Sequence, residues 1–157
     1  MLDVGCGSGR IGELVLLTDA RSWVGVDFAA EMLELARERL ARFGERAQIV
    51  EGDFLEVPLA GPFDVVLALG LFDYIREPEP FLERISQLCA SGGSLVASFP
   101  AWSPLKGPLR KIRYEWINDC PIFDYDAQRV HALLQAAGFE RVEIRARRSG
   151  LLAHARR

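Results

Sequence analysis

Apolar residues in this chain follow two rhythms that alternate from end to end. Leu2–Val4, Trp23–Asp27, Ala47–Glu51 and Phe63–Leu69 are short, mostly apolar runs bounded by Gly, Pro or charged residues, and they read as strands. The last of these is apolar nearly throughout, as a central parallel strand covered on both faces must be. Between the strands the spacing turns helical. Arg10 to Thr18 forms one helix; Glu31 to Phe43 forms a second, with Leu33, Ala36, Arg37, Leu40 and Phe43 on one side and Gly44 closing it. Pro80 suits a helix start, with Phe81, Leu82, Ile85 and Leu88 as its buried stripe. "SGGSLVASFP" is a turn and a fifth strand. Asp126 can cap a helix running to Ala137, which Gly138 ends. Arg141–Arg147 and Leu151–His154 then make a terminal pair of strands around Ser149-Gly150. This alternation predicts one doubly wound α/β domain over residues 1–157. Residues 100–124 break the rhythm with a long insertion rich in Pro and aromatic residues, the kind of segment that is usually functional or mobile.

Composition narrows the class. The chain has 157 residues, 50% hydrophobic and 26% charged, as an ordinary globular domain has. Its longest early apolar run, Leu14 to Leu17, is far too short for a bilayer, and no signal-peptide pattern occurs. Cys6, Cys89 and Cys120 are odd in number and widely spaced, which fits a reducing cytoplasm and neither a disulfide framework nor a metal site. The net charge of −3 conceals an asymmetry: residues 1–100 carry 16 acidic and 8 basic side chains, residues 101–157 carry 6 and 11. Most of those arginines fall on predicted strand edges and helix faces that need solvation, so the asymmetry is weak evidence for an anionic partner.

The chemistry begins at "LDVGCGSGRIG", residues 2–12, which can be parsed two ways. Gly7-x-Gly9-x-x-Gly12 fits a dinucleotide fingerprint, with Asp27 at the distance expected of a ribose-binding carboxylate. Asp3-x-Gly5-x-Gly7-x-Gly9 is instead an acid followed by alternate glycines. Asp53, just past the third strand, can accept from an exocyclic amine, with Phe54 or Phe28 against the ring. A second carboxylate there is foreign to the dinucleotide pattern. Asp3 sits in an otherwise apolar strand, where a carboxylate is costly unless paired. A ligand ammonium group would account for it, and a pyrophosphate would be repelled.

"LDVGCGSGR", "VGVDFAAEML", "VEGDFLEVPL" and "FDVVLALGLFDYI" resemble, in order, the motifs of class I S-adenosylmethionine-dependent methyltransferases. The resemblance implies a seven-stranded, mostly parallel, Rossmann-like sheet of order 3214576 whose last strand is antiparallel, so that Leu151–Arg156 inserts between strands five and six. It implies S-adenosyl-L-methionine as cofactor, with Gly5, Gly7 and Gly9 in the cofactor loop, Asp3 at the methionine end, Asp27 at the ribose, Asp53 with Phe54 and Phe28 at the adenine, and Leu69 beside the methionine chain. An NAD-type oxidoreductase is the competing enzyme, disfavoured by Asp3 and Asp53; a non-catalytic or truncated cofactor-binding domain is the other alternative.

Asp73 and Tyr74 follow the fourth strand, where the transferable methyl should point, and are the candidate catalytic residues; capping and wall packing are their ordinary roles. His131 and His154 read as structural or solvated. No Asn/Asp-Pro-Pro-Tyr sequence follows that strand, so the acceptor is expected to be a small molecule and not nucleic acid. Trp102, Tyr114 and Trp116, among Lys106, Arg110, Lys111 and Arg113, suit a lid over an aromatic or anionic acceptor or a weak membrane-surface contact; a solvated helix with buried aromatics would look the same. Met1 directly abuts the first strand. In the family resembled, a helical segment precedes that strand, so the sequence is either that of a naturally minimal enzyme or one that lacks its N-terminal cap, the second carrying an expectation of marginal stability or self-association.

Overall fold

A computed structural model of the chain describes residues 1–101, 123–148 and 150–157. Seven strands form one sheet: β1 (Leu2–Val4), β2 (Trp23–Asp27), β3 (Ala47–Glu51), β4 (Phe63–Ala68), β5 (Cys89–Phe99), β6 (Arg141–Arg147) and β7 (Gly150–Arg156). The helices are α1 (Arg10–Leu16), α2 (Ala30–Leu40), α3 (Pro78–Leu88) and α4 (Ala127–Ala136). Strand order is β3-β2-β1-β4-β5-β7-β6. β1 to β5 are mutually parallel, and β7 runs antiparallel between β5 and β6. This is the order and sense the resemblance implies. β1 is short but central, pairing with both β2 and β4, and all three of its residues are buried.

Two cores hold the layers. On one face α1 and α2 bury Leu16, Leu33 and Leu40 against Trp23 and Cys6. Two glycines make room for the Trp23 ring: a Cβ on Gly12 would meet it at 2.6 Å and one on Gly25 at 2.1 Å. On the other face Leu82 and Ile85 of α3 and Val130 and Leu134 of α4 cover β1, β4, β5 and β7. Phe72 stacks on Phe99 at 4.5 Å and Tyr125 meets Phe99 edge-on, so the loop after β4 is anchored in this larger core.

Helix ends follow local chemistry. The Asp126 carboxylate accepts from the Arg129 backbone N–H as an N-cap, and Gly138 at φ +91 turns the chain after α4. α3 begins at Pro78, two residues before the expected Pro80, because both prolines fit a first turn that needs no N–H donor. α2 stops at Leu40 and tightens into a 3₁₀ turn, Ala41–Arg46, interrupted by Gly44 at φ +55. β5 begins earlier than the sequence suggests. Phe63 pairs with Cys89 and Val65 with Ser94, so the two glycines lie in a bulge inside the strand.

Candidate active site

A cavity of about 580 Å³ opens at the carboxyl ends of β1, β2, β3 and β4, where ligands bind in open α/β sheets. The loop after β1 forms its base. Gly5 (φ +72) and Gly7 (φ +50) take left-handed conformations that expose backbone to the cavity with no Cβ intervening. A side chain at Gly5 would also press on Leu71 of the opposite wall, 3.2 Å away.

Asp27 ends β2 and fixes this loop. One carboxylate oxygen accepts from the Gly7 N–H at 2.8 Å and the other from the Ala29 N–H at 3.0 Å. Each oxygen retains a second lone pair, and the carboxylate lines the cavity. Asp53 is held likewise, one oxygen accepting from the Leu55 N–H at 2.8 Å, and it too lines the cavity. Phe54 is buried, stacked on Phe81 and covered by the Arg84 guanidinium, while Phe28 stands 81% exposed on the rim.

Asp3 lies beneath the loop, 3% exposed, with Oδ2 lacking any hydrogen-bond partner. Burial pushes its carboxyl up to about 6; the nearby Trp23 indole pulls it back without reaching bonding geometry, and the Asp27 charge adds to the rise. Burial also pushes the adjacent Cys6 thiol up to about 12, reinforced by Asp3 and Asp27, so that thiol stays protonated and unreactive.

The structure therefore brings Gly5, Gly7, Asp27, Phe28, Asp53, Phe54 and Tyr74 to one cavity. Asp3, Gly9, Leu69 and Asp73 are not among its lining residues; Asp3 lies below the loop. Gly9 serves packing: a Cβ there would lie 2.9 Å from Leu40 and 3.2 Å from Ala36 on α2. Beside the cavity Leu71 stands where Leu69 was expected, because β4 ends at Ala68 and Gly70 turns the chain at φ +80. Asp73 faces a second, smaller cavity. Met32, Leu71, Ile75 and Phe81 complete the apolar wall and are not among the site residues expected from the sequence; Met32, in the first turn of α2, is the one that spacing after Asp27 flags. Trp102, Tyr114 and Trp116 of the insertion lie outside the described residues. Among the described residues no group of His, Cys, Asp and Glu is arranged to hold a metal, and no helix is long and apolar enough to cross a membrane.

A left-handed glycine loop after the first strand, carboxylates ending the second and following the third, and a seven-stranded sheet with an inserted antiparallel last strand define a Rossmann-like methyltransferase domain. The chain belongs to that family: residues 1–93 match the family model described as a methyltransferase domain. It is 34% identical over 99 residues to an uncharacterized methyltransferase of Geobacillus thermodenitrificans, covering 61% of this chain and 44% of that protein. It is 30% identical over 116 residues to a phosphatidylethanolamine N-methyltransferase of Cereibacter sphaeroides, covering 71% and 55%. The chain thus spans about half the length of the curated relatives it matches. Among solved structures, an S-adenosylmethionine-dependent methyltransferase from Mesorhizobium loti superposes with a TM-score of 0.80 at 19% identity, covering 99% of this chain and 89% of that one. A magnesium protoporphyrin IX methyltransferase from Synechocystis, solved with S-adenosylhomocysteine bound, gives 0.77 at 19% identity, covering 99% and 73%. S-adenosyl-L-methionine is the cofactor of this family.

Proposed function

We propose that the chain transfers a methyl group from S-adenosylmethionine to a small-molecule acceptor. The observation that carries this reading is the buried, unpartnered Asp3 Oδ2 under a glycine loop whose next acid, Asp27, is held by that loop. An isolated buried carboxylate is costly, and a cationic ligand end above it offsets that cost. A dinucleotide pyrophosphate would worsen it. Gly5 and Gly7 would accommodate the methionine portion, Asp27 the ribose hydroxyls, and Asp53 with Phe54 and Phe28 the adenine. The ~580 Å³ cavity falls within the usual size range of small-molecule sites.

When bound, the cofactor supplies a methyl carbon already activated by a sulfonium. The protein's part is then to hold the acceptor in line with it. Any proton carried by the acceptor would pass to a nearby base or to water. Tyr74 on the cavity wall and Asp73 one residue earlier flank the route by which an acceptor would approach. Calorimetry with S-adenosylhomocysteine, and with NADH as the contrasting ligand, tests the reading. Binding of the first alone supports it, and binding of NADH alone overturns it.

A further inference from the structure

Residues 52–57 follow β3 and carry Asp53 and Phe54 to the cavity. The turn they make is tight. A Cβ on Gly52 would lie 2.4 Å from the Val57 side chain, and the Asp53 carbonyl accepts from the Glu56 and Val57 N–H groups at 3.0 and 2.9 Å. The Asp53 carboxylate spends one oxygen on the Leu55 N–H at 2.8 Å, which leaves the other for a ligand. These bonds close the turn on itself without fixing where it sits. Among the described residues, hydrogen bonds tie it to the rest of the molecule at its two ends. At the start the Gly52 N–H donates to the Asp27 carbonyl at 2.9 Å. At the far end both ties come from one side chain, Arg84.

Arg84 stands on α3 three residues after Phe81, so the two side chains share a helix face. Phe81 stacks on Phe54 with ring centroids 5.9 Å apart, and the Arg84 guanidinium lies over the same Phe54 ring, 5.4 Å from its centroid. Nη1 donates to the Leu55 carbonyl at 2.6 Å and Nη2 to the Val57 carbonyl, while Nε is buried without a partner. The described partners of this cation are thus two backbone carbonyls and an aromatic face, with no carboxylate among them. Drawing a cation out of water is costly, and the planar fork offsets that by making both carbonyl bonds while lying on the ring. A lysine ammonium is a point charge and cannot do all three at once.

We propose that Arg84 is the positioning residue for the adenine end of the cofactor. Its two nitrogens hold the Leu55 and Val57 carbonyls, its plane holds Phe54, and the Asp53 carboxylate is thereby kept aimed at the purine's exocyclic amine. Arg84 is not among the residues lining the cavity, so it acts through Asp53 and Phe54. The inference rests on the methyltransferase reading and adds to it the device that sets purine selectivity. A loosened turn lets the carboxylate swing away, and adenine loses its advantage over a purine bearing a carbonyl oxygen in place of the amine.

The test is calorimetric titration of the chain with S-adenosylhomocysteine and with S-inosylhomocysteine, in which that oxygen replaces the amine. Ribose and amino-acid ends are the same in both, so the ratio of affinities isolates the purine end. The wild type should prefer the adenine ligand by roughly tenfold or more, since the oxygen sets acceptor against acceptor at Asp53. Arg84→Met should reduce the preference to below about threefold, Arg84→Lys should keep part of it, and Glu83→Gln, an exposed neighbour on α3, should leave it intact. General destabilisation weakens both ligands by one factor and leaves their ratio unchanged. No preference in the wild type, or a preference that survives Arg84→Met, overturns the assignment while the methyltransferase reading stands. Failure of the wild type to bind S-adenosylhomocysteine overturns that reading and the assignment with it. Should Arg84→Met not fold, Arg84→Lys decides: a ratio equal to that of the wild type overturns the assignment, and a reduced one supports it.

Discussion

Replacing Asp3 with Asn should make the ligand-free protein more stable and the cofactor site weaker. The side chain is buried, one oxygen is unpartnered, and its carboxyl is raised from 3.8 to about 6. At about 1.4 kcal/mol per pH unit, that rise corresponds to about 3 kcal/mol of stability. The sign follows from proton uptake. Between pH 4 and 6 the folded state holds a proton on Asp3 that the unfolded chain has released. Stability therefore falls as pH rises through that window, and the penalty is complete above pH 7. Asparagine has the same shape and never ionises. Its advantage over wild type should be near zero at pH 4 and should grow to about 3 kcal/mol at pH 7, roughly 6–12 °C in melting temperature for a domain of this size. Binding should move the other way. A ligand ammonium above the loop would reach this carboxylate through a bridging water, a contact of about 1 kcal/mol, so Asp3→Asn should weaken S-adenosylhomocysteine roughly fivefold. Thermal unfolding from pH 4 to 8, paired with calorimetry at pH 7, measures both. A variant no more stable than wild type at pH 7, with affinity unchanged, would refute the reasoning.

Gly9→Ala should destabilise the fold by about 1–3 kcal/mol, through the 2.9 Å approach to Leu40 and a φ of +70, while protein that remains folded binds S-adenosylhomocysteine normally; denaturant titration and calorimetry separate the two effects. Ser98→Ala removes the hydroxyl that holds Gly70, a bond of about 1 kcal/mol, and should weaken cofactor affinity roughly fivefold through the loosened loop. Ser98→Thr keeps the hydroxyl and should restore the affinity. If the alanine variant binds as tightly as wild type, the loop does not depend on that bond.

What the sequence disclosed and what it concealed divide on physical lines. β1, β2 and β3 fall on the predicted residues because each is a short apolar run cut off sharply by glycine or charge. The insertion of β7 between β5 and β6 came from family resemblance alone, since no local pattern encodes which strands become neighbours. β5 was foreshortened because Gly92 and Gly93 look like a turn, and only pairing with β4 reveals them as a bulge. In the site, Gly5, Gly7, Asp27 and Asp53 were legible because they sit at strand ends, whose positions periodicity fixes. Leu71 and Ser98 were not. They depend on the course of the loop after β4, which is set by the Gly70 turn and by packing of Phe72 on Phe99 across the core. Gly9 was grouped with the ligand loop by spacing, whereas contact with α2 accounts for it.

The central claim, that this cavity holds S-adenosylmethionine with Asp27 on its ribose, is tested most directly by calorimetric titration of the wild type and of Asp27→Asn. The asparagine variant is chosen over alanine because Asp27 also accepts from Gly7 and Ala29, and an amide oxygen preserves one of those bonds. The wild type should bind S-adenosylhomocysteine and show no heat with NADH. Asp27→Asn should bind at least tenfold more weakly, the loss of one charge-assisted bond, while still unfolding cooperatively. NADH binding without a response to S-adenosylhomocysteine, or an affinity indifferent to Asp27→Asn, would contradict the account.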